Sequence, residues 1–180
     1  MKAISKFLSA MLALILALPM DAQDNSSRDA GSHYHFTADF NMSASDYSKG
    51  KPDFGIFGFT INPGYRFNEN WAVYMPVSAD MVLLNRQSTR NYVEQGTIGL
   101  GATYQVNMKD HAALGFSLTG GSTYIRSDLN YFKAKAAVTL GFHSMGRTPY
   151  VSIGCTYMKP YDNVMKDKLL FECSIGFVLF

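Results

Sequence analysis

The residues best suited to chemistry in this chain are few and scattered. His143 and Ser144 are adjacent, and a histidine able to take a serine's proton is the minimum of a nucleophilic site. Neighbours on a strand point to opposite faces, however, and this pair sits in a short turn-like stretch, so an ordinary turn is the preferred reading. His33 and His35 share a strand face and could both touch a metal, but no third ligand is evident, so no metal site and no cofactor are assigned. Cys155 and Cys173 are the only cysteines. They form either one cross-strand disulfide, if a hairpin centres near Val164, or two small apolar side chains. Six charges, Asp39, Arg66, Asp80, Lys133, Lys135 and Glu172, each stand between apolar neighbours, and the signs are balanced. Such charges suit ion pairs in a filled interior better than catalysis.

What positions these residues is a period of two, the signature of strands. It predicts strands at 33–43, 54–67, 71–84, 96–107, 112–124, 131–143, 149–158 and 169–180. Each is near the ten residues that a tilted membrane strand needs. Tyr34, Phe36, Ala38, Phe40 and Met42 share one face of the first; His35, Thr37, Asp39 and Asn41 share the other. In the last, Leu169, Phe171, Cys173, Ile175, Phe177 and Leu179 oppose Leu170, Glu172, Ser174, Gly176, Val178 and Phe180. The apolar face carries no charge on any strand, as lipid demands. The other face is rich in Gly, Ser and Thr, which suits the narrow lumen of an eight-stranded barrel better than a water-facing surface. Aromatic residues gather toward both strand ends, Trp71 and Tyr104 at one rim and Phe40 and Phe57 at the other, as at two bilayer interfaces. Connections alternate between short ones (68–70, 108–111, 144–147) and longer polar ones (44–53, 85–95, 125–130, 159–168). Backbone groups in lipid must all be paired, so the sheet closes. The fold class is all-β, an eight-stranded antiparallel up-and-down transmembrane β-barrel.

The first 22 residues read as a secretory signal: Lys2 and Lys6 precede an uncharged run, Phe7 to Leu18, too short to span a bilayer as a helix. Residues 23–32 are a polar, flexible lead-in on the periplasmic side, and 33–180 are the barrel. No cysteine lies near the cleavage region, which argues against a lipid anchor. The formal net charge of the whole chain is +2, which gives no electrostatic case for nucleic acid.

With these features the chain resembles the small eight-stranded outer-membrane barrels of the OmpA/OmpX type. The segment FTINPGYRFNENWAVY, Phe59 to Tyr74, is similar to a recurring piece of related Bacteroidetes barrels. The terminal Phe180 also fits, although the positions alternating with it hold Val178, Gly176, Ser174 and Glu172 rather than an apolar series. The resemblance implies a cell outer-membrane location. Some barrels of this architecture are lipid A deacylases or acyltransferases, and His143-Ser144 is the nearest match to such a site. Pro63 and Pro76 lie within strands of a barrel that has no edge to hide them, which predicts a shared bulge or kink. Asp80, Lys133, Lys135 and Glu172 fall toward the outer half, which predicts a salt-bridge plug rather than a pore.

Three readings compete. The preferred one is a non-enzymatic outer-membrane barrel with a structural or surface-interaction role in adhesion or envelope integrity. The others are an outer-membrane lipid-modifying enzyme and a secreted lipocalin-like carrier. Partners are outer-membrane lipids or lipopolysaccharide, met by loop cations such as Lys159, Lys166 and Lys168, and a surface protein met by loop tyrosines.

Overall fold

A computed structural model describes residues 34–45, 54–86, 89–109, 112–125, 129–142, 148–162 and 165–178, apart from the side chains of 85–86, 89–91 and 109. Nine strand segments follow one another: β1 (Tyr34–Ala44), β2 (Phe54–Arg66), β3 (Trp71–Tyr74), β4 (Val77–Arg86), β5 (Thr89–Lys109), β6 (Ala112–Thr123), β7 (Tyr131–Phe142), β8 (Thr148–Pro160) and β9 (Lys168–Val178). All pairings are antiparallel, and β1 pairs with both β2 and β9. The sheet therefore closes on itself. Because β3 and β4 are two halves of one stave, the ring has eight staves. No helix among the described residues is long and apolar enough to cross a membrane.

Side chains obey the period of two throughout. On β9, Leu169, Phe171, Ile175 and Phe177 point outward and are exposed, whereas Leu170, Glu172 and Ser174 are buried in the lumen. On β1, Thr37, Asp39, Asn41 and Ser43 are buried while Phe40 and Met42 are exposed. Polar residues fill the inside, and large apolar residues cover the outside, the reverse of a water-soluble barrel. Outside, the rings of Trp71 and Tyr104 pack at a tilt with centroids 5.0 Å apart, as do those of Phe40 and Phe59. The barrel end where β1 begins is called the lower end here, and the end where β1 finishes the upper.

The strand carrying Pro76 breaks at Met75–Pro76, as the prolines foreshadow, but without the expected bulge. Gly64 pairs with Tyr74 below the break and Ile61 with Val77 above it, which is one unshifted register. The break survives because each proline keeps its acceptor: Met75 N–H donates to Pro63 C=O at 2.8 Å, and Gly99 N–H donates to Pro76 C=O at 3.0 Å. Each proline sacrifices only its own ladder donor. The ladder's register shift lies instead at the lower end, between Asn107 and Lys109 opposite β6.

The segment 85–95 is not the polar loop that its composition suggests. β4 runs on to Arg86 and β5 starts at Thr89, so the stretch is a hairpin that continues the ladder through Arg86 opposite Thr89. Above the apolar band no lipid imposes alternation, so these paired strands carry polar residues on both faces.

Candidate functional site

The lumen is where the charged residues collect, and it is filled in layers. At the upper end Phe54, Ile56, Val82, Leu129, Tyr131, Met158 and Leu170 pack into one buried apolar cluster. These lie on the inward parity of β2, β4, β7, β8 and β9, joined by Leu129 from the preceding connection. Gln95 is fully buried and donates to Leu129 C=O at 2.5 Å, which ties that connection down to β5.

Beneath the cluster is an ion pair. Lys133 Nζ on β7 donates to Asp80 Oδ2 on β4 at 2.9 Å and to Ser78 Oγ at 3.3 Å. Ser78 in turn donates to Asp80 Oδ2 at 2.8 Å and shares a 2.5 Å hydrogen bond with Thr97. Asp80 fits because Gly58 faces it across the ladder. A Cβ on Gly58 would fall on Asp80 Oδ1 and lie 2.9 Å from Ala79 C=O. Asp80 Oδ1 and Tyr131 Oη have no hydrogen-bond partner among the described residues.

A second pair closes the other side. Lys135 Nζ on β7 contacts Glu172 Oε1 on β9 at 2.5 Å, and Thr156 donates to Glu172 Oε2 at 2.6 Å. Lower still, Asp39 Oδ2 accepts from Asn62 Nδ2 at 2.8 Å and from Tyr150 Oη at 2.9 Å. Asn62 also donates to Thr37 at 2.9 Å, and Asn41 to Thr60 at 2.7 Å. Tyr150 reaches Asp39 by lying over Gly176, and Tyr74 lies similarly over Gly101; a Cβ on either glycine would strike the ring. Small residues on one stave thus admit a large ring from another, which fills a lumen that eight strands leave narrow.

Electrostatic interaction links five of the six charges, Lys133 reaching Asp80 and Glu172, and Lys135 reaching Glu172 and Asp39. Four of them make two direct ion pairs, Asp80 with Lys133 and Lys135 with Glu172. Asp39 accepts its direct hydrogen bonds from the neutral donors Asn62 and Tyr150. Arg66 stands at the lower end of β2, opposite Ala72, far along the strand from both pairs. His35 is buried against Tyr74, with ring centroids 5.8 Å apart, rather than lying at an open rim. His33, His143, Ser144 and Phe180 lie outside the described residues. Among the described residues no group of three His, Cys, Asp or Glu side chains could hold a metal.

The cysteine register needs correcting. The β8–β9 hairpin pairs Cys155 with Phe171 and Ile153 with Cys173, so the two thiols are diagonal rather than opposite, and both are free. A register slip of two keeps every side chain on its face, so alternation could not reveal it.

Missed from the sequence were the neutral partners, Tyr150, Asn62, Thr156 and Gln95, and the apolar upper cluster. Inward parity places each of these within reach of the charged positions, and that signal was present.

No protein-family model matches the chain, and no curated protein matches it. Solved structures do. Neisserial surface protein A is similar over 83% of this chain and 98% of its own, at 17% identity and a TM-score of 0.51. The fold is that of the small eight-stranded outer-membrane β-barrels. Two further barrels align with lower scores. The attachment invasion locus protein Ail of Yersinia pestis matches at 14% identity over 81% of this chain and 96% of its own, with a TM-score of 0.46. The N-terminal barrel domain of Pseudomonas aeruginosa OprF matches at 11% identity over 80% and 96%, with a TM-score of 0.43. Within this outer-membrane barrel fold, buried polar and charged side chains line the lumen and large apolar side chains cover the outward face.

Proposed function

We propose that the chain is an integral outer-membrane barrel, exported by its cleavable signal, whose role is structural or surface-interacting rather than catalytic. The observation that carries the reading is the filled lumen. Two ion pairs, the Asp39 cluster and the apolar upper layer lie buried in the lumen, and buried charges of this kind persist only when paired. A barrel so packed holds its surface connections on a rigid base, which suits attachment or envelope integrity better than transport. The Neisserial neighbour, a surface protein by name, is consistent with that role. Outer-membrane lipids and a surface protein are the proposed partners.

Cell fractionation and bilayer recording test the reading together. The protein should leave the membrane only with detergent, change gel mobility on heating, and give no large steady conductance when reconstituted. Release by salt alone would overturn the membrane assignment, and a stable open channel would overturn the filled lumen.

A further inference from the structure

Of the six charges, Arg66 stands apart from the network that links the other five. It is the last residue of β2 and half-buried, and among the described residues no carboxylate lies within ion-pair distance of it. Asp39, Asp80 and Glu172 all sit higher in the lumen and already accept from other groups. His35 stands beside Arg66: it is opposite Gly64, two residues up the same inward face of β2. His35 is only 6% exposed, and its Nδ1 has no hydrogen-bond partner among the described residues. A guanidinium without a counter-charge and an orphaned imidazole nitrogen are therefore neighbours at the lower mouth.

The wall across from them is built small. In a ring of eight staves, β6 and β7 stand four staves from β1 and β2 and so face them. Their lowest inward glycines are Gly115 and Gly141. At inward glycines higher in the lumen, such as Gly58, Gly101 and Gly176, a Cβ would come within 3.0 Å of a neighbour. At Gly115 and Gly141 it would meet nothing closer than 3.5 Å, so packing among the described residues does not require glycine at either position. Thr139, opposite Gly115, and Thr103 also point inward, and both are partly exposed. Above this level the rings of Tyr74 and Tyr150, lying over Gly101 and Gly176, narrow the lumen. An eight-stranded interior can hold one small ligand where side chains leave room for it.

We propose that the lower mouth of the lumen binds a small carboxylate, with the Arg66 guanidinium donating to its two oxygens and the His35 Nδ1–H donating to one of them. Gly115 and Gly141 leave room for the rest of the molecule. The planar guanidinium fork matches a carboxylate. The site offers one fixed positive charge, which balances a monoanion and leaves a phosphate dianion undercompensated. A cation drawn partly out of water is costly without a counter-charge, and the bound carboxylate supplies it. The site itself needs only the closed barrel; the outer-membrane reading above adds that the ligand arrives from the periplasm.

The test is an NMR titration of the full-length protein, folded in mild detergent, with acetate as the probe and acetamide, chloride and inorganic phosphate for comparison. Acetate should shift the Arg66 Nε–H and His35 ring resonances saturably, and acetamide should not. Arg66→Gln should weaken acetate binding about tenfold, read at the His35 ring, because the charge-assisted hydrogen bonds are lost. Arg66→Lys keeps the charge without the fork and should recover only part of that loss. Gly141→Leu fills the facing wall and should abolish binding with Arg66 intact. Heat-modifiable mobility checks folding of each variant, and Arg66→Gln remains decisive if Gly141→Leu does not fold. Chloride shifts equal to those of acetate overturn the proposal, as does tighter binding of phosphate, or a Gly141→Leu variant that titrates like the wild type. Binding that appears only when Asp24 and Asp29 are replaced by Asn also overturns it, since the chain's own carboxylates would then be the occupants. The titration is run in detergent solution, so its failure leaves the outer-membrane reading standing, and release of the protein from cells without detergent would sink that reading and not the site.

Discussion

Gly58 carries no side chain where Asp80 needs room, and Asp80 carries a charge where Lys133 can reach it across the lumen. Removing one partner of such a pair leaves the other buried and uncompensated. Asp80→Leu should therefore destabilise the refolded barrel by ~3–5 kcal/mol, whereas Asp80→Leu with Lys133→Met should recover most of that loss. Urea unfolding in detergent or liposomes measures both, and a double variant no better than the single would mean that the pair does not act as a unit. The cysteines offer a separate check at this scale. Cross-strand partners directly opposite have Cβ atoms about 4.5–5.5 Å apart, and diagonal ones about 7–8 Å, beyond disulfide reach. Mild oxidation should leave Cys155 and Cys173 as free thiols. Ile153→Cys, which stands opposite Cys173, should bond to it. A wild-type Cys155–Cys173 bond seen by mass spectrometry would refute the register.

Strands were legible because lipid imposes a strict rule on one face, and the rule prints a period of two on the sequence. The break near Pro76 was legible too, since a missing donor inside a closed sheet has few places to go. Legibility ended where lipid did. The paired ends of β4 and β5 beyond Leu84 need no apolar face, so the polar composition of 85–95 resembled a loop. In the same way Phe54, Tyr131, Met158 and Leu170 sit on inward positions above the ion pairs, where apolar residues pack well but break the polar-in pattern. Register within hairpins was the weakest link, because a slip of two preserves the faces. The candidate charged positions were visible one by one as polar residues between apolar neighbours. Which of them pair directly depends on which staves face each other, which alternation cannot report. The strand rule itself predicts an asymmetry on β6. Phe116 points outward and is exposed, while Ser117 points into the lumen. Phe116→Arg should cost about 2–4 kcal/mol in a bilayer, and Ser117→Lys clearly less. The opposite order in liposome unfolding would invert the assigned faces.

At the scale of the whole barrel, the lumen is a stack in which the upper layer is apolar and the lower ones hold paired charges and rings. These two kinds of layer predict different consequences of damage. Met158 is fully buried in the upper cluster, at 0% exposure, with Tyr131 and Leu170 among its companions. Met158→Ala should lower stability by ~2–5 kcal/mol through lost burial and the cavity left behind. It should not open a channel, because Lys133–Asp80, Lys135–Glu172 and the Tyr150–Asp39–Asn62 cluster remain in the lumen beneath it. Replacing Lys133 and Lys135 together by alanine acts on the other kind of layer: it leaves Asp80 and Glu172 without their cations and shortens the side chains that cross the lumen. Water and ions should then enter the middle of the barrel, while the apolar cluster still seals its upper end. Only the combination of Met158→Ala with both lysine replacements should produce ion flow. Single-channel recording of the three proteins in planar bilayers separates the cases. Steady conductance from Met158→Ala alone would show that the charged layers do not seal the lumen, and silence from the combined variant would show that other layers suffice.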